Sequence, residues 1–209
     1  MFTIDKRAAV AAKVAGRYAA GIRFVLNAVR VEQRGDGYAV TATDGHRLIR
    51  CEGPSLAAEF PEVPGFDASA NGATAANVPA KDFADCLRGL PKAHRSMKEV
   101  FRHAAVTLEP TRATFCGTDL TRASVQPILA VEGSFPDADE IIPATEPEFR
   151  VGVNADLLAG LLQAVADFAD RRHDRTVVLE FWGPVKAMRA TAASEGRKAT
   201  GMLMPVLIE

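Results

Sequence analysis

Long apolar runs are missing from this 209-residue chain. Nowhere do about 20 consecutive apolar residues occur, the length a helix needs to cross a bilayer. The opening MFTIDKRAAV also lacks the apolar stretch of a secretory signal, so the expectation is a cytoplasmic protein. An excess of one charge is missing as well. With 25 basic and 26 acidic residues the net charge is -1, so any contact with a polyanion must come from local segregation of charge. Cysteine is sparse: Cys51, Cys86 and Cys116 are odd in number, widely spaced and set among apolar or strand-like neighbours. That pattern suits reduced core thiols, and the absence of any CxxC or clustered Cys/His spacing excludes a zinc site. A Gly-rich phosphate loop, GxSxG, HExxH and a Cys/His pair are all absent. Asp44-Gly45-His46 with Asp137, Asp139 and Glu140 is the only group from which an acid-base or metal site could start. Its spacing is uninformative, and hairpin geometry accounts for Asp44 and Gly45. The expectation is therefore binding rather than catalysis, with no cofactor and no metal.

What is present is an ordinary apolar content, 48%, with 24% charge, enough for one large or two small domains. The hydrophobic period predicts a strand at residues 2–4 and a helix at 6–19 with Val10, Val14 and Tyr18 at i, i+4, i+8. A meander at 22–33, 38–43 and 46–51 follows, turned by Gly35-Asp36-Gly37 and Asp44-Gly45. After the Ala/Gly/Asn/Pro-rich loop 61–72 the order recurs: a strand at 76–79, a helix carrying Phe83, Leu87 and Leu90, then strands at 99–108, 113–117 and 121–131. The third pass starts with a strand at 149–153 and continues through a helix capped by Asn154, with Leu158, Leu161, Val165 and Phe168 as its stripe. Strands at 177–182, 185–191 and 199–208 end it. The chain thus reads as α+β, three β-α-β-β-β units of about 60 to 65 residues, a period that points to internal repeats. One such unit leaves a sheet face bare, so units must pair or stack.

Three collinear motifs carry a family resemblance. Arg23-Phe24-Val25-Leu26-Asn27, followed by Ala42-Thr43-Asp44-Gly45-His46-Arg47-Leu48, resembles the middle domain of the bacterial DNA polymerase III β subunit, the β sliding clamp. Phe135-Pro136-Asp137, closing on Pro143, resembles that family's linker, and Met202-Leu203-Met204-Pro205-Val206 its C-terminal strand. The resemblance implies a DNA-clamp fold of about one and a half domains. Residues 1–143 would form one clamp domain, from units 1–55 and 76–133 with linker 134–147, and residues 148–209 a half domain.

It also implies a cleft for short peptides of DNA polymerases and repair proteins. The cleft would be lined by Leu26, Thr43, Gly45, His46, Arg47, Leu48, Pro136, Ile141, Leu203, Met204, Pro205 and Val206. An apolar pocket with methionine and proline suits an extended peptide with leucine or phenylalanine anchors. Glu140 departs from the family, which places a basic residue beside the cleft. Read singly, Leu26, Ile141 and Leu203 suit core packing, whereas adjacent His46 and Arg47 cannot both enter a core unpaired.

In clamps the helices meet duplex DNA through its backbone, without reading sequence. On an α-helical wheel Lys6, Lys13 and Arg17 fall on one face, and Lys81 and Arg88 lie seven apart, with Lys92, Arg95 and Lys98 following. The third helix carries instead Asp156, Gln163, Asp167 and Asp170, relieved only by Arg171, Arg172 and Arg175 beyond its end. The lone third unit would pair with that of another chain, and two such dimers would supply the twelve units of a ring, a tetramer. Two functions follow from the resemblance: an encircling processivity factor with a clamp loader, or a non-encircling peptide binder that diverts the partners of a full-length clamp.

Overall fold

The computed structural model describes every residue except 20, 93, 95, 170–174, 195–196 and 209, so the expectations for Arg95, Asp170, Arg171 and Arg172 lie outside the described residues. Two units divide the chain, Met1–Ile142 and Pro143–Glu209. In the first, β1 (Phe2–Asp5) leads into a 3-10 helix at Lys6–Lys13 and a second at Ile22–Asn27. The meander is β2 (Ala28–Arg34), β3 (Gly37–Thr43) and β4 (Leu48–Pro54). The pass then repeats as β5 (Ala75–Pro79), α1 (Ala80–Gly89), a 3-10 turn at Glu99–Arg102, and β6 (His103–Glu109), β7 (Arg112–Thr118) and β8 (Ala123–Leu129). A one-turn helix, α2 (Ala138–Ile141), ends the unit.

The two halves exchange their leading strands. β1 pairs antiparallel with β6, giving a sheet ordered β1-β6-β7-β8, and β5 pairs with β2, giving β4-β3-β2-β5. Phe2 and Ile4 of β1 therefore lie in one core with Val29, Val31 and Val40 of the first sheet and Phe83, Val106 and Phe115 of the second half. Phe83 meets Phe115 edge to face, ring centroids 5.7 Å apart. Burial raises the thiols of Cys86 to about 12 and Cys116 to about 11, so both stay protonated, and all three cysteines are free.

Three predicted elements are corrected here. The first helix stops at Lys13 instead of reaching residue 19. Gly16 N–H donates to Leu26 O at 2.7 Å, and the Asn27 amide grips both the N–H and the carbonyl of Tyr18 at 2.6 Å, pulling residues 15–18 off the helical path. A Cβ on Gly16 would come within 2.5 Å of the Tyr18 ring, so glycine is required there. The same grip holds Arg23–Asn27 in a 3-10 turn, and the strand begins only at Ala28. In the second half Lys6 Nζ donates to the carbonyls of Pro91 (2.8 Å) and Phe101 (2.9 Å), taking a backbone acceptor that a strand over residues 99–102 would need.

The linker helix α2 docks on the first sheet by charge. Asp139 accepts from Arg34 of β2 (2.7 Å) and Arg50 of β4 (2.5 Å). These hydrogen bonds, Arg34's first, hold its carboxyl down at about 2.

In the second unit Asn154 Oδ1 accepts from Asp156 and Leu157 N–H, both at 3.0 Å, and starts α3 (Ala155–Ala169) as expected. The sheet is β11-β10-β9, from β9 (Val178–Glu180), β10 (Met188–Ser194) and β11 (Arg197–Leu203). Val165, Ala190 and Ala192 form its core with Leu161 and Leu162. Of the strand predicted at 149–153 only a bridge remains, Gly152 to Val206. The predicted 185–191 strand starts at Met188, because Gly183 (φ 124) and Pro184 turn the chain, and the last strand ends at Leu203, just before Pro205, which has no N–H to donate.

Since β1 serves both halves, Phe2→Ala should cost about 3–5 kcal/mol and shift the unfolding of the whole first unit as one transition in urea, read by the fluorescence of Tyr18 and Tyr38; two separated transitions would refute the shared core. The Asp139 contact has a defined sign. A carboxyl lowered on folding stabilises above its ordinary value of 3.8 and loses that contribution as pH falls toward 2. Protection from hydrogen exchange at Ala138–Ile141, taken relative to the intrinsic rate at each pH, should therefore fall between about pH 4 and 2, and Asp139→Asn should already lack it at neutral pH.

Candidate functional site

Eight of the twelve expected cleft residues line one cleft of about 310 Å³ in the first unit: Leu26, Thr43, Gly45, His46, Arg47, Leu48, Pro136 and Ile141. Its floor is a small apolar cluster of buried Val25, Leu26 and Phe135, with Tyr18 packed against it. The 3-10 turn Ile22–Asn27 brings Val25 and Leu26, and the linker after β8 brings Phe135 and Pro136. That linker is tied back to the first sheet by Asn77 Nδ2 of β5, which donates to Gly133 O at 2.9 Å. The hairpin after β3 supplies the rim. His46 and Arg47 are exposed, as expected; Arg47 is bound to Asp44 at 2.9 Å, whereas His46 presents its ring to solvent. Ile141, 54% exposed, stands on the rim instead of in the core, while Leu26 both packs and lines. Glu140 is exposed on α2.

The Thr43–Arg47 hairpin has an internal counterpart at Thr118–Arg122. Thr43 Oγ1 donates to Arg47 O at 2.8 Å and accepts from Gly45 N–H at 3.0 Å; Thr118 does the same with Arg122 O (2.9 Å) and Leu120 N–H (3.0 Å). Asp44 Oδ1 accepts from the N–H groups of His46 and Arg47, and Asp119 Oδ1 from those of Thr121 and Arg122. Both third residues have positive φ, Gly45 at 86° and Leu120 at 69°. Thr, Asp and Arg in this motif are thus turn chemistry, repeated where no cleft was expected. Only Gly45, His46 and Leu48 distinguish the first copy.

The neighbourhoods of the two hairpins differ in filling. Val25 and Leu26 correspond to Val100 and Phe101, each pair closing a 3-10 turn before a strand, and Phe135-Pro136 corresponds to Phe60-Pro61. Around Val100 and Phe101 the cluster also buries Phe60, Val63, Ala105 and Cys116, and Phe66 and Met97 pack on it. Around Val25 and Leu26, among the described residues, only Phe135 is added to the buried set, and Tyr18 packs on it. One of two equivalent places is filled from within, and the other is open.

The remaining four expected cleft residues belong to the second unit. Leu203 is core there, paired across strands with Met188. Met204 is exposed, and Pro205 and Val206 line a groove of about 330 Å³ within the second unit with Arg150, Pro184, Val185 and Leu207.

A second groove in the first unit, about 1110 Å³, lies along the 3-10 helix and α1. It has an alanine floor (Ala9, Ala12, Ala15, Ala80, Ala84) and basic side chains at Arg7, Lys13, Arg17, Lys81 and Arg88. Lys6, expected in this row, also lines the groove, but its amine ties two backbone carbonyls together and is taken up by them. Three residues per turn replace 3.6 in a 3-10 helix, so Arg7, Val10 and Lys13 stack in one row, and the missed residue was Arg7. The early break that would have revealed it is written in Gly16 and Asn27. Lys13 and Arg17 make no ion pair among the described residues, whereas Asp85 bridges Lys81 (3.1 Å) and Arg88 (3.3 Å). Lys92 is exposed past the end of α1, outside the groove lining. On α3, Asp156 and Gln163 are exposed, and Asp167 is paired with Arg175 at 2.8 Å.

No family model and no characterised relative matches the sequence. Solved structures do. The DNA polymerase sliding clamp of Bacillus subtilis is 16% identical over 100% of this chain and 50% of its own, with a TM-score of 0.69. The β sliding clamp of C. crescentus is 21% identical over 98% and 50%, TM-score 0.67. A Pseudomonas aeruginosa sliding clamp bound to griselimycin is 18% identical over 98% and 49%, TM-score 0.66. At these identities the likeness shows the fold: this α+β chain is built on the fold of the bacterial DNA polymerase III β sliding clamps and spans about half the length of those it matches.

Proposed function

We propose that this chain is a non-catalytic, clamp-like binding protein whose cleft at Leu26, His46, Leu48, Pro136 and Ile141 receives short extended peptides of DNA polymerases and other replication or repair proteins. The observation that carries the proposal is the open cleft itself, which stands where the equivalent place in the other half is filled by its own phenylalanine, valine and methionine side chains. An apolar floor with a polar rim suits a peptide anchored by leucine or phenylalanine, with the backbone left to hydrogen-bond along the hairpin. The same fold would let an oligomer hold duplex DNA through the basic groove, with Lys13 and Arg17 as the cations free to meet phosphate.

The acidic side chains of α3 favour a second reading, a peptide binder that does not encircle DNA. Asp156 is exposed and would repel phosphate, whereas Asp167 is already paired with Arg175.

Titration of a fluorescent pentapeptide with leucine and phenylalanine anchors should give saturable binding, weakened roughly tenfold or more by Ile141→Asp and measurably by His46→Ala. His46 has a solvent-facing ring, so its loss leaves the fold intact; unchanged affinity in both variants would sink the cleft. Retention on circular DNA that is lost on linearisation would support encirclement, and equal release from both would favour the second reading. Charge reversal at Lys13 and Arg17 together should lower the salt dependence of DNA binding by a slope of roughly 2.

A further inference from the structure

The two halves of the first unit complete each other in three ways. Each leading strand joins the other half's sheet, with its last residue opposite the first residue of the meander: Asp5 faces His103 and Pro79 faces Ala28. The helical segments lie side by side through alanines. And α1, from the second half, reaches over β2 and β5, covering the edge at which the exchange takes place.

The second unit has the same order of elements and lacks all three partners within its described residues. β9 pairs with β10 alone, so its other edge carries no strand. The leading segment, which would be the exchanged strand, makes only the single bridge at Gly152. α3 packs on β10 and β11, leaving the helix side of β9 uncovered: Leu179, whose cross-strand partner Ala190 is fully buried under α3, is 39% exposed. Its counterparts Val31 in β2 and Val106 in β6 are fully buried. On α3 itself, Leu157, Ala164 and Phe168, spaced 7 and 4 apart, share a face, and Leu157 and Phe168 are 61% and 58% exposed. Among the described residues, thirteen of the nineteen exposed large apolar side chains belong to this unit, the smaller of the two, and Phe149, Leu157, Phe168, Leu179 and Phe181 are five of them.

We infer that this surface binds a second copy of the chain, the leading segment around Val151–Val153 of each copy pairing antiparallel along β9 of the other and the two α3 helices packing side by side. The occupant must bring a strand and an amphipathic helix in that order, and a second copy does so by construction. The resulting interface is isologous, each patch meeting itself across a two-fold axis. Half-open side chains of this size offer roughly 100 Å² each, so Leu157, Phe168, Leu179 and Phe181 with Phe149 and the two exchanged strands approach the ~800 Å² per partner of a standard dimer. The inference is independent of what the cleft binds. It also supplies the pairing step that a closed ring requires.

Sedimentation equilibrium of the 209-residue chain at micromolar concentration should give twice 22.3 kDa or an even multiple of it. A mass of 22.3 kDa would overturn the inference. Leu157→Glu with Phe168→Glu changes only exposed helix positions, so the double variant should keep its circular dichroism and halve the smallest assembled mass. Leu179→Glu at the uncovered strand should do the same. Retention of the wild-type mass by both would show that the chain assembles through another surface and would likewise overturn the proposal.

Discussion

Backbone hydrogen bonding between β1 and β6, and between β5 and β2, is the constraint from which the rest of the first unit follows. A meander of three strands with one helix cannot cover both of its edges and its helix-side face. Exchange of the leading strands lengthens each sheet by one strand and brings both helical segments over a common core, in which Phe2 and Ile4 contact residues from both halves. The linkers obey the same logic. Phe60 crosses to pack on Val100 and Phe101, and Phe135 crosses to pack on Val25 and Leu26.

The cleft is a by-product of that symmetry and of a local departure from it. Both hairpins after the middle strands use the same Thr-Asp-x-x-Arg hydrogen bonds, and both need positive φ at the third residue. What separates them is the mass of apolar side chains delivered by the linkers and turns. Phe60, Val63, Phe66 and Met97 pack one place closed, whereas Phe135 and Tyr18 leave the other open, with Pro136 and Ile141 on its rim. Asp139, held by Arg34 and Arg50, keeps the helix bearing Ile141 on the sheet, so a charge contact outside the cleft sets the position of one of its walls.

Charge is segregated locally despite a net charge of -1. Arg7, Lys13, Arg17, Lys81 and Arg88 of the first unit gather along one groove floored by alanine. Lys6 shows the opposite use of the same residue type. Its amine is partly buried and its charge is disfavoured by that burial, yet it bonds two carbonyls and joins the first helical turn to the second half.

Hydrophobic period and turn residues were enough to read the threefold repeat, the position of α1 and its buried Phe83, Leu87 and Leu90, the cap at Asn154 and the Thr-Asp-Gly hairpin, because each depends on neighbours within a few residues. The eight first-unit cleft residues were legible through their resemblance to clamp motifs, not through periodicity. Long-range bonds were not legible. That Asn27 would stop a helix by gripping Tyr18, that Lys6 would hold backbone instead of facing solvent, and that residues 149–153 would find no strand to pair with are decided by partners tens of residues away or missing altogether. Local sequence determined which elements could form and what their faces carry; tertiary structure decided which edges and faces were satisfied, because a strand edge or an apolar face is stable only when another part of the chain, or another chain, covers it.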